Sequence, residues 1–304
     1  METRKIGSLD VSVIGLGCNN FGRRLDFDGT TAVVNAALDA GINFFDTADV
    51  YGSGQSEEYL GLALGPRRKD ILIATKFGGK MEGQGNGASP AYIRQAVEAS
   101  LRRLGTDCID LYQLHTPDPA VSIADTLGTL NELVQAGKVR EIGCSNFSAD
   151  QLREAAAQKN ARHFASVQNE YSLLKRDPEP EVLAECQRLG IAFIPFYPLA
   201  AGLLTGKFRQ GQPAPEKARI TLGGPAYAAN WLTERNLSLA EQLLKFAESR
   251  GHTILELALS WLLTRPAVAS IIAGAMSPQQ VQANVAARWA LTNDELAEID
   301  RIVA

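Results

Sequence analysis

The chain predicts an α/β fold of the closed (β/α)8, or TIM-barrel, kind, preceded by a short β-hairpin. Three observations carry this. Strand-like and helix-like patterns alternate with unusual regularity along all 304 residues. Eight short apolar runs follow the hairpin, beginning near residues 14, 42, 71, 109, 139, 165, 192 and 270. Ionisable side chains stand at or just past the ends of successive runs, on the face where parallel β/α architectures hold their chemistry. Eight β/α units favour a closed barrel over an open sheet, and such barrels reach this length as one domain. No Pro/Gly/Ser-rich linker is long enough to divide the chain, so residues 1–304 are expected to form a single domain.

Thr3–Ile6 and Val11–Val13, separated by Gly-Ser-Leu-Asp, predict the leading hairpin. Helical patterns fill the gaps between the eight runs. The clearest opens with Ser89 as N-cap and Pro90 at the first helical position. It carries Ile93, Ala96, Val97, Leu101 and Leu104 down one face and stops at Gly105. Thr292 and Glu295 form a capping-box pattern that leads into Leu296, Ile299 and Ile302. Two stretches break the rhythm. Residues 202–230, within a long catalytic-face loop of about 199–236, are rich in Gly, Pro, Lys and Arg and unlike a helix; such loops are usually lids or binding loops. Gly78–Gly87 is the other, and its composition reads as a mobile loop.

Composition excludes several classes of function. Hydrophobic content of 45% with 21% charged residues is ordinary for a globular enzyme. A net charge of −4 gives no reason to expect nucleic acid or an anionic membrane as partner. Cys18, Cys108, Cys144 and Cys186 are widely spaced, without metal-ligand spacing, which predicts free thiols in a reducing compartment and no metal site. No signal-like or membrane-length apolar run is present, so the cytoplasm is the expected location. Nothing in the sequence specifies an oligomeric state.

Asp46, Tyr51, Lys76 and His115 are the candidate catalytic residues. They lie at or just beyond the ends of three successive predicted strands and should converge on one face. A phenol, an ammonium, a carboxylate and an imidazole together make a proton-transfer device. A reaction that develops negative charge on an oxygen needs a proton or strong donors there. Tyr51 is the expected general acid, although a free phenol titrates near ~10. Lys76 is expected to lower that value, Asp46 to hold Lys76 charged and in place, and His115 to donate toward the same oxygen. Taken singly, each residue is more often a solvated charge or a packing group; their order and context favour chemistry. His163 and His252 lack sequence partners and are expected to be non-functional. Asp49 and Asp110 are expected to be surface or structural.

These segments closely resemble the aldo-keto reductase signatures. The matching stretches are Gly41–Gly52 around Asp46 and Tyr51, Thr75–Phe77, Ile109–His115, Ile142–Phe147, Gln168–Tyr171 and Pro198–Lys207. They occur in the right order over the whole chain, including the hairpin that plugs the barrel floor in that family. The pattern is similar to its bacterial short-loop branch and to the potassium-channel β subunits. The resemblance implies NAD(P)H-dependent interconversion of carbonyls and alcohols. It implies that Ser145, Asn146 and Gln168 hydrogen-bond the nicotinamide carboxamide and that Phe196 stacks on its ring, with barrel core as the alternative place for Phe196. Backbone N–H groups of Tyr197, Leu199 and Gly202, with Lys207, would hold the pyrophosphate, and Gly274, Gln280 and Asn284 would approach the adenosine end. Trp231, Phe21 and Tyr227 are secondary candidates for the substrate wall.

Competing dehydrogenase signals are poor. Gly15, Gly17, Gly52 and Gly54 lack the spacing of a dinucleotide fingerprint. Tyr171 and Lys175 match a Tyr-x-x-x-Lys dyad without the Gly-rich turn that should accompany it. The expected substrate is a small carbonyl or alcohol, with sugar oxidation as one alternative and a non-catalytic, cofactor-binding regulatory subunit as another. NADP(H) is the expected cofactor and NAD(H) the alternative, because the stretch Gly274–Asn284 has no basic residue. Lys207, Arg209, Lys217 and Arg219 remain to reach a phosphate from the long loop. The short segment Thr116–Ser122 and a chain ending at Ala304 further imply a comparatively open substrate site.

Overall fold

A computed structural model describes residues 1–81, 85–158, 162–216 and 218–304. The chain starts with β1 (Thr3–Ile6) and β2 (Leu9–Ser12), then β3 (Ile14–Gly17), α1 (Phe27–Asp39), β4 (Phe44–Asp46) and α2 (Gln55–Leu64). It continues with β5 (Leu72–Phe77), α3 (Pro90–Leu104), β6 (Ile109–Leu114), α4 (Ile123–Gln135), β7 (Val139–Ser145) and α5 (Ala149–Ala156). β8 (Ser166–Glu170), α6 (Ala184–Leu189) and β9 (Ala192–Phe196) follow, then two short helices, α7 (Arg219–Leu222) and α8 (Pro225–Trp231). The last elements are α9 (Glu234–Glu248), α10 (Ile254–Leu263), β10 (Ile271–Gly274), α11 (Pro278–Ala286) and α12 (Asn293–Val303).

Eight strands pair in the order β10-β3-β4-β5-β6-β7-β8-β9, every neighbour parallel. The barrel closes ahead of β10: Phe193 donates to the Ala267 carbonyl at 2.7 Å, and Ala269 donates back to Phe193 at 2.9 Å. A closed sheet leaves no unpaired edge and points all strand carboxyl ends the same way. Among the described residues, no helix is long and apolar enough to cross a membrane.

Local sequence explains the frame that holds this face. Ser89 caps α3 by accepting from the Tyr92 N–H, and Gly105 ends it at φ 62°, a left-handed conformation that favours glycine. The apolar face predicted for α3 is buried throughout. Thr292 and Glu295 form the expected capping box of α12. The four cysteines are free, with Cys18, Cys144 and Cys186 buried.

Two expectations need correction. The hairpin turn contains only Gly7 and Ser8, because Ile6 pairs with Leu9 and Thr3 with Ser12. Gly7 takes φ 55°, and Glu141 accepts the Ser8 N–H at 2.8 Å, so this tight turn is built by glycine and a distant carboxylate. The 202–230 stretch is also not wholly irregular. It holds α7 and α8, whose four and seven residues are too short to show a helical period.

Beneath the barrel, Ile6, Leu9 and Val11 join Phe44, Ala74, Leu111, Ile194, Ala269 and Ile272 in a compact apolar cluster that seals the floor. Arg4 fastens the hairpin there, donating to the Val268 carbonyl at 2.6 Å and the Leu263 carbonyl at 3.0 Å. The opposite end stays open for chemistry.

Candidate active site

Strands β4, β5 and β6 deliver Asp46, Lys76 and His115 to the same end of the barrel, and the turn after β4 returns Tyr51 over them. Lys76 is 1% exposed and Asp46 3%. The Lys76 ammonium donates to Asp46 Oδ2 at 2.6 Å and to the Thr47 carbonyl at 2.8 Å, and it lies 5.2 Å from the centre of the Tyr51 ring. Two buried amides face the other carboxylate oxygen: Gln168 donates to Asp46 Oδ1 at 2.9 Å and Gln113 at 3.4 Å. Removal of either ion would leave its buried partner unpaired, which is costly. His115 meets Tyr51 edge-on, with ring centres 5.9 Å apart.

The electrostatics sharpen the assigned roles. Burial raises the Tyr51 phenol above its ordinary range; the Lys76 ammonium opposes this, and Asp46 reinforces it. The expectation that Lys76 brings the phenol below its free value is therefore not met here. The ammonium is closely paired with Asp46, and enclosure of the ring outweighs its pull. Tyr51 is protonated at neutral pH and available as a donor. The Lys76 ammonium is raised despite burial, through its neighbours Asp46 and Tyr51. His115 is lowered to about 3, by burial first and by Lys76 second. Its imidazole is neutral at physiological pH and acts as an oriented hydrogen-bonding group rather than a charged acid.

The tetrad opens into a cavity of about 900 Å³, lined by Asp46, Tyr51 and His115 with Lys76 behind them. The cavity also gathers Ser145, Asn146, Gln168, Phe196, Tyr197, Leu199, Gly202, Lys207, Gly274, Gln280 and Asn284 from β7, β8, β9, the 199–208 turn and α11. Asn146 bridges two of these strand ends, donating to the His115 carbonyl at 3.0 Å and to Ser145 Oγ at 3.1 Å. Phe196 faces the cavity rather than the core and meets Tyr197 edge-on at 5.5 Å. Asn146, Tyr197, Ala200 and Ala201 all take positive φ, between 47° and 61°. This conformation is strained for residues with a Cβ and concentrates at functional sites.

Other expectations change on contact with the geometry. The Gly202 N–H bonds the Leu199 carbonyl at 2.8 Å and is not free for a ligand. The Gln280 side chain folds back to accept the Met276 N–H at 2.8 Å. Arg209 turns away to pair with Glu241 at 3.1 Å, and Lys217 lies outside the described residues. Phe21 is buried in the core, while Tyr227 and Trp231 pack beside each other with Trp231 edge-on to Tyr197; none lines the cavity. No described residue of 78–88 lines it either. His252 has partners after all: it stacks on Trp289 at 4.2 Å and stands 3.6 Å from Glu256. Asp110 pairs with Arg68 and Arg140. The Tyr171 hydroxyl bonds Glu179 and Lys175 pairs with Asp177, so those two form no dyad.

Sequence reasoning missed a neighbouring set. Asn19, Asn20, Arg23 and Arg24 line the cavity from the loop after β3. The rule that chemistry gathers past strand ends applies to that loop as much as to the others. Asp49 is not on the surface but 1% exposed, and its carboxyl is raised to about 7 by burial and by Glu57.

Comparison with known proteins agrees with this geometry. The profile of the Aldo/keto reductase family matches residues 13–304. The chain is 35% identical over 304 residues to the uncharacterized oxidoreductase YqkF of Bacillus subtilis, covering 97% of this chain and 94% of that one. The glycerol dehydrogenase AKR11B4 from Gluconobacter oxydans superposes with a TM-score of 0.85 at 32% identity, over 100% of this chain and 95% of its own. The aldo-keto reductase AKR11C1 from Bacillus halodurans, in its holo form, gives 0.83 at 34% identity, over 99% and 96% respectively.

Proposed function

Because the chain belongs to the aldo/keto reductase family and is an oxidoreductase, we propose that it interconverts small carbonyls and alcohols with NADP(H), Tyr51 acting as general acid and base. The observation that carries this reading is a protonated, cavity-facing phenol beside the buried Lys76–Asp46 pair, with a neutral imidazole alongside.

The residues present fit a nicotinamide dinucleotide. Hydroxyl and amide groups of Ser145, Asn146 and Gln168 cluster beside the tetrad, with Phe196 as an aromatic surface next to them. Backbone N–H groups of Tyr197 and Leu199 in the strained turn, with Lys207, would supply donors and positive charge for phosphates, and the wall then continues to Gly274, Gln280 and Asn284. A bound reduced nicotinamide would supply hydride to the carbonyl carbon. Tyr51 and His115 would hydrogen-bond the carbonyl oxygen, and Tyr51 would release its proton as negative charge develops there. Lys76 would stabilise the resulting phenolate, and Asp46, held by Gln168 and Gln113, would keep Lys76 charged. Oxidation runs through the same groups, with the phenolate as base.

Phosphate discrimination should be modest. Residues 274–284 offer no cation, Ser277 caps α11 through the Gln280 N–H, and among the described loop cations only Lys207 and Arg219 reach the cavity. Losing one charge-assisted contact costs ~1.5–3 kcal/mol, so NADPH should exceed NADH in kcat/KM by less than about a hundredfold. Steady-state consumption of each cofactor with a reactive aldehyde tests the whole reading. A thousandfold NADPH preference would reveal a phosphate clamp that these residues do not account for. No turnover with either cofactor, despite cofactor binding, would favour a regulatory subunit. Resemblance to a glycerol dehydrogenase supports polyol or sugar oxidation as the second reading, to be assayed in the oxidising direction.

A further inference from the structure

Two positive charges on the cavity wall, Arg23 and Arg24, belong to neither the tetrad nor the dinucleotide seat. The protein carries net charge −4, yet Arg23, Arg24, Lys207 and Arg219 line the cavity, and among the described residues the only carboxylate lining it is Asp46, already paired with Lys76. Lys207 and Arg219 stand on the side of the strained turn. Arg219 donates to the Tyr197 hydroxyl at 3.0 Å and covers the Tyr197 ring at 4.6 Å. Arg23 and Arg24 come from the loop between β3 and α1. Arg24 makes one neutral contact, to Asn20 Oδ1 at 3.4 Å. The charges bearing on Arg24 are Arg219 and Arg23, with Tyr227 and Tyr197, and no carboxylate is among them.

This loop is seated against the turn that carries Tyr51. A Cβ on Gly52 would lie 3.0 Å from the Phe21 carbonyl oxygen, and one on Gly22 would lie 2.4 Å from the Gln55 Cβ. Both glycines also take positive φ. The close approach fixes the backbone of the loop that carries Arg23 and Arg24 against the Tyr51 turn, whereas the groups that fit the dinucleotide run from β7 around to α11. Two guanidiniums on the cavity wall, without anionic partners among the described residues, are a seat for a planar or tetrahedral anion.

We propose that Arg23 and Arg24 bind an anionic group on the substrate, so that the preferred substrates are aldehydes or alcohols bearing a carboxylate or phosphate. This rests on the carbonyl–alcohol reading of the same site. The test compares kcat/KM for succinic semialdehyde against butyraldehyde and for glyceraldehyde phosphate against glyceraldehyde. Each pair is measured in the wild type and in the double variant Arg23→Gln, Arg24→Gln, at saturating cofactor. The expected result is a fall of about tenfold to a hundredfold in the charged-over-neutral ratio, the scale of one charge-assisted hydrogen bond. The larger fall in one pair identifies carboxylate or phosphate as the group recognised. Arg23→Lys with Arg24→Lys should recover part of the ratio, and added salt should erode it in the wild type. An unmoved ratio in both pairs overturns the proposal. So does a loss confined to cofactor affinity, read by quenching of tryptophan fluorescence without substrate, because the arginines would then hold the dinucleotide. If no aldehyde is turned over, the carbonyl–alcohol reading fails. Calorimetry of γ-hydroxybutyrate against butanol on the cofactor-loaded protein then still decides the seat, equal affinity overturning it.

Discussion

Tyr51 illustrates how much a single hydroxyl can carry. Tyr51→Phe removes a proton donor and little volume, so the fold and cofactor affinity should persist while turnover falls at least ~10²-fold. Retention of more than about a tenth of wild-type turnover, in an assay limited by chemistry, would remove Tyr51 from the acid–base role. Lys76→Met should lose activity similarly and also lose stability, because it strands the Asp46 carboxylate among buried amides. Asp49 makes a different prediction. Its carboxyl is raised from 3.8 to about 7, chiefly by burial and then by Glu57, with Arg103 and Lys76 opposing. Between those values the folded protein keeps a proton that the unfolded chain has released, so stability falls as pH rises through that window. Asp49→Asn keeps an acceptor for the Val50 N–H and removes the dependence. It should match the wild type near the lower value and exceed it above the upper one by on the order of 1–3 kcal/mol, read from urea unfolding across pH. A constant difference at every pH would contradict this account.

Between elements, the tightest approach is that of α2 to the end of α3. A Cβ on Gly61 would stand 2.5 Å from the Leu104 carbonyl oxygen, a backbone atom that cannot swing aside. Glycine inside a helix normally costs stability relative to alanine. Here Gly61→Ala should instead destabilise by about 1–3 kcal/mol, measured by denaturant midpoint, because the two helices must move apart. Much at this scale was legible in the sequence for simple reasons. Strands buried on both faces read as apolar runs, and α3 and α12 are long enough for their caps and periodicity to be visible. The tetrad was legible because its residues terminate those runs. The hairpin turn was misjudged by two residues on its second side, since Leu9 and Asp10 look like turn residues until their pairing partners are known. Helices α7 and α8 offer too few residues for a period. Arg23 and Arg24 were passed over because they belong to none of the matched motifs; the packing of Gly22 and Gly52 shows that their loop rests on the Tyr51 turn. Gln113 looked like one more strand residue, and its contact with Asp46 depends on which strand face turns inward.

For the molecule as a whole, the barrel divides labour between its ends. The floor is apolar and sealed, while the opposite face holds buried ions, strained backbone and an excess of positive charge. Strain and unneutralised charge both cost stability, and a closed, well-packed barrel supplies the rigidity that keeps them in place. The site is accordingly assembled from nearly every strand end rather than from one motif, which is why no local segment would bind or react alone.

The fastening of the hairpin has a kinetic consequence. Arg4 is synthesised long before its two carbonyl partners, which lie 259 and 264 residues further along. The floor plug therefore waits, through the making of β3 to β9, for its anchor. Contacts of such long range form late and slow the search for the native state. Interactions absent from the transition state govern how fast the native protein opens rather than how fast it forms. Arg4→Ala should thus raise the unfolding rate in denaturant-jump experiments and leave the refolding rate nearly unchanged. A slowed refolding limb would mean that the two ends of the chain meet early, as part of the nucleus.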